Sequence, residues 1–372
     1  MSHIDRDEDP LQKLQKFHKI YRKKGFSRNF PETLFCVLRR NFNPAVVPDF
    51  QVKDHDVMTL IPDEPASSKR LYAVYQTEDR GRAVYASRRI PAGTTVHVAS
   101  EPFVSVIKEK FKKEVCAWCF KYQHGKNCSV KQSDTRTGVW FCSVGCLHEW
   151  TNWDYDGKLA KVLASLRSNG ARKVIRRIMN GTDKSKQMSN VESFPLDQAK
   201  LVASAIVQRS RYGKSADSPW EDVLDLQSGI FDDEIDLPSE IEQITPFLKQ
   251  TLPVNLHYLV ESTAYPFLSR HLSNSFGIWE LPISPDSENL GSAMYPSASY
   301  FNHSCDPNVT KIRQGRKVLF ITSRDVARDE ELCISYGHTD RDLEERRQVL
   351  RDWWGFTCNC SRCRRELDIQ HS

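Results

Sequence analysis

The 372-residue sequence predicts an α+β fold, a β-rich core that is interrupted and then closed by a cysteine-rich tail. Three observations predict it. Short strand-like runs bounded by glycine and proline turns stand at 71–110 and return between 295 and 337. The stretch between about 155 and 290 carries apolar residues at helical spacing. The cysteines gather in two places: Cys116-x-x-Cys119 with Cys142-x-x-x-Cys146, and Cys358-x-Cys360-x-x-Cys363.

Composition narrows the class. Hydrophobic content of 39% and charged content of 27% describe an ordinary soluble protein. No apolar run approaches the roughly 18 residues a membrane helix needs, so no membrane partner is expected. The N-terminus, Met-Ser-His-Ile-Asp-Arg-Asp-Glu-Asp, has no apolar signal core, and a cytoplasmic and/or nuclear location is expected. A net charge of +5 is too mild to point to direct nucleic-acid binding. The 11 cysteines, without a secretory signal, argue against disulfides, and their spacing argues for metal. Cys36 and Cys333 stand alone and read as small buried residues.

Residues 1–70 read as a helical extension and linker. Leu11, Leu14, Phe17, Ile20 and Tyr21 recur at helical spacing up to Gly25, and a second helix starts at Pro31. Pro44, Pro48, Pro62 and Pro65 mark a linker. From 71 to 110, Leu71-Tyr-Ala-Val-Tyr alternates like a strand. Gly81-Arg82-Ala83-Val84 follows as a turn and strand, then Ile90-Pro-Ala-Gly93 as a second turn.

Two later motifs identify the core. Tyr300-Phe301-Asn302-His303-Ser304-Cys305 is followed, after a strand-like run, by Glu330-Glu331-Leu332-Cys333-Ile334-Ser335-Tyr336-Gly337. Both motifs in order, with the Cys358-Asn-Cys360-Ser-Arg-Cys363 tail, resemble the second half of SET-domain protein methyltransferases. The resemblance implies that 71–110 is the first part of that domain and 291–340 its catalytic core. That family usually has Gly-x-Gly where this chain has Gly81-x-Ala83. Alanine keeps a small side chain but disfavours positive φ, which bears on cofactor geometry there without excluding binding.

Glu101-Pro-Phe-Val-Ser-Val and the first cysteine cluster sharpen the resemblance to the SET-and-MYND branch. Its zinc module, here 111–155, binds two zincs through eight ligands. Cys116, Cys119, Cys142 and Cys146 match one complete site, the tetrahedral Cys₄ set of a structural zinc. The second site is broken: Cys128 remains, but Asp154 and Lys158 stand where its last two ligands fall. His124, His148 and Asp154 are the residues that would have to improvise with Cys128. The expectation is a MYND-like half-module with one zinc. Residues 341–372 match a post-SET tail, in which the resemblance implies that Cys305 joins Cys358, Cys360 and Cys363 around a second structural zinc.

The helical insertion, 156–290, opens with Leu159 to Arg167. It continues with a basic helix from Ala171 and includes helices over Leu196–Val207 and Ile241–Leu259, the last interrupted by Pro246 and Pro253. An acidic loop starts at Phe231, with Ser239 as a candidate helix cap. Ser273-Asn274-Ser275-Phe276 resembles the segment in which the family holds the polar end of its cofactor, which implies that role for Asn274.

The resemblance implies an S-adenosylmethionine-dependent protein-lysine N-methyltransferase. That chemistry needs a neutral lysine, and deprotonating one at pH 7 costs roughly 4–5 kcal/mol, which an apolar channel reduces. By resemblance, Arg82, Ala83, Asn274, Asn302, His303, Tyr336 and Phe356 would bind cofactor. Tyr336 would be the catalytic tyrosine, and Tyr300 and Trp354 would line the substrate channel, Trp354 where the family usually has tyrosine. The family's C-terminal helical-repeat domain is not expected, as in compact fungal-type members. The expected partner is a lysine-bearing protein, histone or otherwise, met by a monomer. A second reading, from another class, is a catalytically silent zinc adaptor on the SET scaffold.

Overall fold

The computed structural model describes residues 70–77, 80–132, 138–181, 195–212, 218–228, 239–284, 286–337 and 339–370. The two helices and the linker expected over 1–70 and the acidic loop expected after Phe231 fall, apart from residues 70 and 239, outside the described residues, as do Cys36 and the side chain of Ser239. The chain forms two compact units, one over 51–337 and one that includes 338–372.

The larger unit opens with an antiparallel hairpin, β1 (Tyr72–Thr77) against β2 (Gly81–Ala86). Gly81 takes φ +67°, a left-handed conformation that favours glycine. β3 (Thr95–Ala99) and β4 (Val104–Ile107) follow. A cysteine knuckle comes next, with β5 (Val130–Lys131) paired to β6 (Trp140–Phe141) and then α1 (Val144–Trp153). The helical stretch holds α2 (Lys158–Leu166), α3 (Asn169–Gly181), α4 (Leu196–Tyr212), α5 (Pro219–Asp225), α6 (Ser239–Thr251) and α7 (Val260–Asn274). The chain returns to strand in β7 (Ser275–Trp279), β8 (Asn289–Met294), β9 (Val309–Gln314) and β10 (Lys317–Thr322).

Two three-stranded antiparallel sheets, β3-β10-β9 and β4-β8-β7, each join strands from before and after the helices. The helical stretch is therefore an excursion between β4 and β7. Pro246 does not interrupt it as expected: the proline lies inside α6, whose neighbours Ile244, Phe247 and Leu248 are buried. Packing of that apolar face outweighs the lost backbone hydrogen bond.

Two hydrophobic cores result. One lies between helices and knuckle, and α4 runs through it, buried from Ala199 to Gln208 and packed on β4 and α7. Its Lys200 is buried and pairs with Glu109 at 2.6 Å and Asp197 at 2.7 Å. Burial works against the Glu109 carboxylate, yet Lys200 and Arg167 hold its pKa down at about 2.

The other core fills the sheets, where Phe301 stacks on Phe320 with ring centres 4.6 Å apart. His97 is buried beside them. Its Nδ1 accepts from the Tyr72 hydroxyl at 3.0 Å, and its Nε2–H faces Ser297 Oγ at 3.2 Å. Both bonds suit a neutral ring, and burial lowers its pKa to about 4.

In the smaller unit, α8 (Leu343–Trp354) is capped by Asp342, which accepts from Glu345 N–H at 2.9 Å, and ends at Gly355 with φ +70°. α9 (Ser361–Gln370) follows. Arg346 is buried, paired with Glu366 and bonded to Arg341 O at 2.6 Å.

His97 sets an acid limit on the fold. Its pKa is about 4 folded against 6.5 free, so its contribution is complete above pH 6.5 and is lost as pH falls towards 4. The difference corresponds to roughly 3 kcal/mol. Urea unfolding at pH 7 and pH 4.5 is expected to show a smaller loss of stability in His97→Gln than in the unsubstituted chain. An equal loss would contradict this account.

Candidate active site and metal centre

The site is built where two loop segments run side by side. The segment from Asn302 pairs in parallel with the segment ending at Ile334. Ile334 N–H donates to Asn302 O and Ser304 N–H to Ile334 O, each at 2.9 Å. Leu332 N–H reaches Val84 O on β2 at 2.7 Å, so the crossing is fastened to the first hairpin.

Buried and half-buried polar side chains close the remaining gaps. Asn302 Nδ2 donates to Arg82 O at 3.1 Å and Glu331 Oε1 at 3.0 Å. Asn308 Nδ2 donates to Glu331 O at 2.8 Å, and its Oδ1 accepts from Cys333 N–H at 2.8 Å. Arg80 pairs with Glu331 and donates to His303 O at 3.0 Å. Sequence reasoning missed Arg80, Asn308 and Glu331 as positioning groups, although Glu331 stands inside the second quoted motif and Asn308 three residues after the first.

His303 is buried, and its Nδ1 accepts from Tyr336 N–H at 3.0 Å. That bond leaves the ring proton on Nε2, which faces Cys305 Sγ at 3.3 Å. The Tyr336 hydroxyl donates to Phe301 O at 3.0 Å. Burial, with a smaller effect of Cys333, raises the Tyr336 pKa well above the ordinary phenol range, so the hydroxyl stays protonated. Cys333 is itself buried, and burial pushes its thiol up to about 12.

The remaining residues singled out from the sequence are distributed around this crossing or in the tail. Arg82 pairs with Asp225 Oδ2 at 2.6 Å and lies 4.9 Å over the Tyr300 ring. The Tyr300 hydroxyl donates to the same Asp225 oxygen at 2.9 Å. Ala83 is fully buried in β2 opposite Tyr75, and it is not among the residues with positive φ. The left-handed turn falls on Gly81 alone. Asn274 ends α7, where its Nδ2 donates to Gln227 O at 2.9 Å and Arg270 O at 2.8 Å. Ser299 Oγ donates to Asn274 O at 3.1 Å. Trp354 is the last residue of α8, and Phe356 follows its capping glycine in the smaller unit.

In the knuckle, the thiols of Cys116, Cys119, Cys142 and Cys146 all lie within 4.8 Å of one another and form no disulfide. Two of the sulfur separations are 3.5 and 3.6 Å. A tetrahedron with metal–sulfur arms of about 2.3 Å has sulfur–sulfur edges of roughly 3.8 Å, so the set fits zinc. Ser143 holds the last two ligands in place by capping α1, accepting from Cys146 N–H at 3.2 Å.

Cys128 is buried beside this set without belonging to it, and burial raises its thiol to about 12. Asp154 is occupied elsewhere: it caps α2 through Leu159 N–H at 3.0 Å and Ala160 N–H at 2.9 Å, and it pairs with Arg211. His124 faces Glu280 at 3.0 Å, and His148 faces Asn152 at 3.3 Å. In the tail, the thiols of Cys358, Cys360 and Cys363 also lie within 4.8 Å of one another. Metal analysis of Cys142→Ser is expected to show one zinc per chain fewer than the unsubstituted protein, whereas Cys128→Ser is expected to keep the full content.

Comparison with known proteins agrees with this geometry. Residues 81–337 match the family model described as the SET domain. A Saccharomyces cerevisiae protein named potential protein lysine methyltransferase SET6 is 29% identical over 81% of this chain and 96% of its own length. Histone-lysine N-methyltransferase ASHR1 of Arabidopsis thaliana is 22% identical over 79% of this chain and 55% of its own. Mouse histone-lysine N-methyltransferase SMYD3 is 28% identical over 46% of this chain and 40% of its own. The chain thus spans nearly all of the yeast relative and only about half of the other two. Because the SET model covers more than half of the sequence, including the crossing of 302–304 with 332–334, the chain belongs to the SET domain family.

Proposed function

We propose that this chain is an S-adenosylmethionine-dependent protein-lysine N-methyltransferase of the SET-and-MYND type. The observation that carries the reading is the pair of buried oxygens at the crossing, the Tyr336 hydroxyl and the Phe301 carbonyl, 3.0 Å apart. Two oxygen dipoles in a site shielded from water suit positive charge, which the sulfonium bears and which the neutral lysine amine acquires as the methyl arrives. The relatives' names, as lysine or histone-lysine methyltransferases, support the same chemistry.

The cofactor, when bound, supplies a methyl already activated on sulfur. The chain's residues have the remaining tasks. Asn302 and His303 would hold the cofactor through the backbone of the crossing, with Arg82 and Ala83 contributing from β2 and Asn274 from the end of α7. Tyr336 would orient the amine through its neutral hydroxyl. Tyr300 and Trp354 would wall the lysine channel against water, and Phe356 would stack on the adenine. Holding nucleophile and methyl at attack distance accounts for much of the remaining acceleration.

Zinc would serve structure. The knuckle is read as a MYND-like module with one zinc. The tail offers three thiols where a closed structural site takes four, and Cys305 is the fourth donor in this reading. Its sulfur faces His303 Nε2–H, a bond that suits a thiolate. Substrates would be lysine-bearing proteins, histone or non-histone, at a cytoplasmic or nuclear location. The adaptor reading draws on Ala83, Trp354 and the broken second zinc site, while Asn302, His303, Tyr336 and Phe356 support the enzyme.

Tyr336→Phe is expected to lower methyl transfer at least about 10²-fold while calorimetry shows cofactor affinity nearly unchanged. Equal activity in the variant would overturn the role of Tyr336. Because the Tyr336 pKa is raised, its hydroxyl should not titrate in the working range. The kcat/KM profile is then expected to climb with pH as the substrate lysine, pKa about 10.4 when free, loses its proton. A fall in activity between pH 8 and 10 in a chain that remains folded would contradict this.

A further inference from the structure

Arg316 sits in the turn between β9 and β10 and is 7% exposed. Its guanidinium lies 4.2 Å from the ring centre of Trp118, 5.2 Å from Trp153 and 5.7 Å from Phe120. Trp118 stands between Cys116 and Cys119, so the arginine rests on the knuckle itself. The preceding Gly315 confirms how close the approach is: a Cβ there would lie 3.7 Å from Cys119 O and 3.9 Å from Cys119 Cβ.

Arg316 Nε and Nη2 are buried and find no hydrogen-bond partner among the described residues. No carboxylate pairs with the guanidinium among those residues. Burial disfavours its charge, and the exposed Glu101 and the Cys116 sulfur oppose that only in part. A buried cation left in this state is strongly unfavourable, and some anion must compensate it. Four thiolates around one Zn²⁺ carry a formal charge of about −2, from four negative charges and two positive. The cation without an anion and the anionic centre are thus in contact through one tryptophan.

We propose that Arg316 is the counter-cation of the Cys116, Cys119, Cys142 and Cys146 zinc centre, and that it ties metal loading of the knuckle to the β9–β10 hairpin. The inference rests on reading those four cysteines as a zinc set. In the tail a buried arginine also stands beside a thiol: Arg346, paired with Glu366, places Nη2 3.8 Å from Cys363 Sγ. Arg316 touches neither reacting group and is a positioning residue. Its hairpin starts at Val309, next to Asn308, the side chain that holds Cys333 and Glu331 in the crossing. Fastening one end of the hairpin to the zinc centre steadies its other end at the candidate active site. Loss of the metal strands the arginine and releases that fastening.

The test uses the zinc-loaded full chain, titrated with a chelator while zinc release is followed with a responsive dye. The release phase missing from Cys142→Ser is the knuckle's. Arg316→Met keeps an apolar side chain of similar length without charge and is expected to weaken knuckle zinc affinity about ten- to a hundredfold. Arg316→Lys is expected to lose less, since it keeps the charge and gives up the flat stack on Trp118. In the metal-free chain, Arg316→Met is expected to hold or raise the Tm, because a stranded charge is gone. Unchanged knuckle affinity in Arg316→Met overturns the proposal. So does an equal drop in Tm with and without metal, which marks a packing role alone. An unsubstituted chain that shows no knuckle phase overturns the reading of the cysteines instead.

Discussion

Everything at the candidate active site depends on the backbone hydrogen bonds between 302–304 and 332–334. Loop backbone buried in this way must satisfy each polar group without a regular sheet on both sides. Asn302, Asn308, Glu331 and Arg80 do so, each bridging two segments. The same network fixes where the Tyr336 hydroxyl points, because Tyr336 N–H is held by His303 Nδ1. One ring therefore anchors the candidate catalytic tyrosine on one nitrogen and faces a metal-type thiol with the other. The candidate catalytic tyrosine and the Cys305 thiol thus share one residue as neighbour.

The knuckle shows how a local defect in a pattern is absorbed. Asp154 stands where the family pattern calls for a second-site ligand. It is instead a helix cap with a buried ion pair to Arg211. Two orphan amides and a guanidinium occupy both oxygens of this carboxylate. The aromatic rings of Trp118 and Trp153 then face Arg316 across the space beside the first site. Charge and capping give this part of the module fixed partners.

Much of this was legible because the signals are local. The two motifs, the Cys-x-x-Cys and Cys-x-x-x-Cys pairs and the helical run after Lys158 are set by spacing along the chain, and spacing survives without a structure. Pro246 was misread because propensity favours ending a helix there, while packing of Phe247 and Leu248 decides otherwise. The backbone at Ala83 could not be read from its spacing after Gly81, and the strand register with Tyr75 shows that it is extended.

The sequence by itself determined the family, the order of strands and helices, and the thiols available for metal. Tertiary structure alone decided which groups meet: Arg80 with Glu331, Asn308 with Cys333, Arg316 with Trp118. The physical reason is separation. Arg80 and Glu331 stand 251 residues apart and Asn308 and Cys333 25 apart, so no periodicity along the chain encodes their contact. Such pairs are selected only when the sheets close and a buried charge or amide must find a partner.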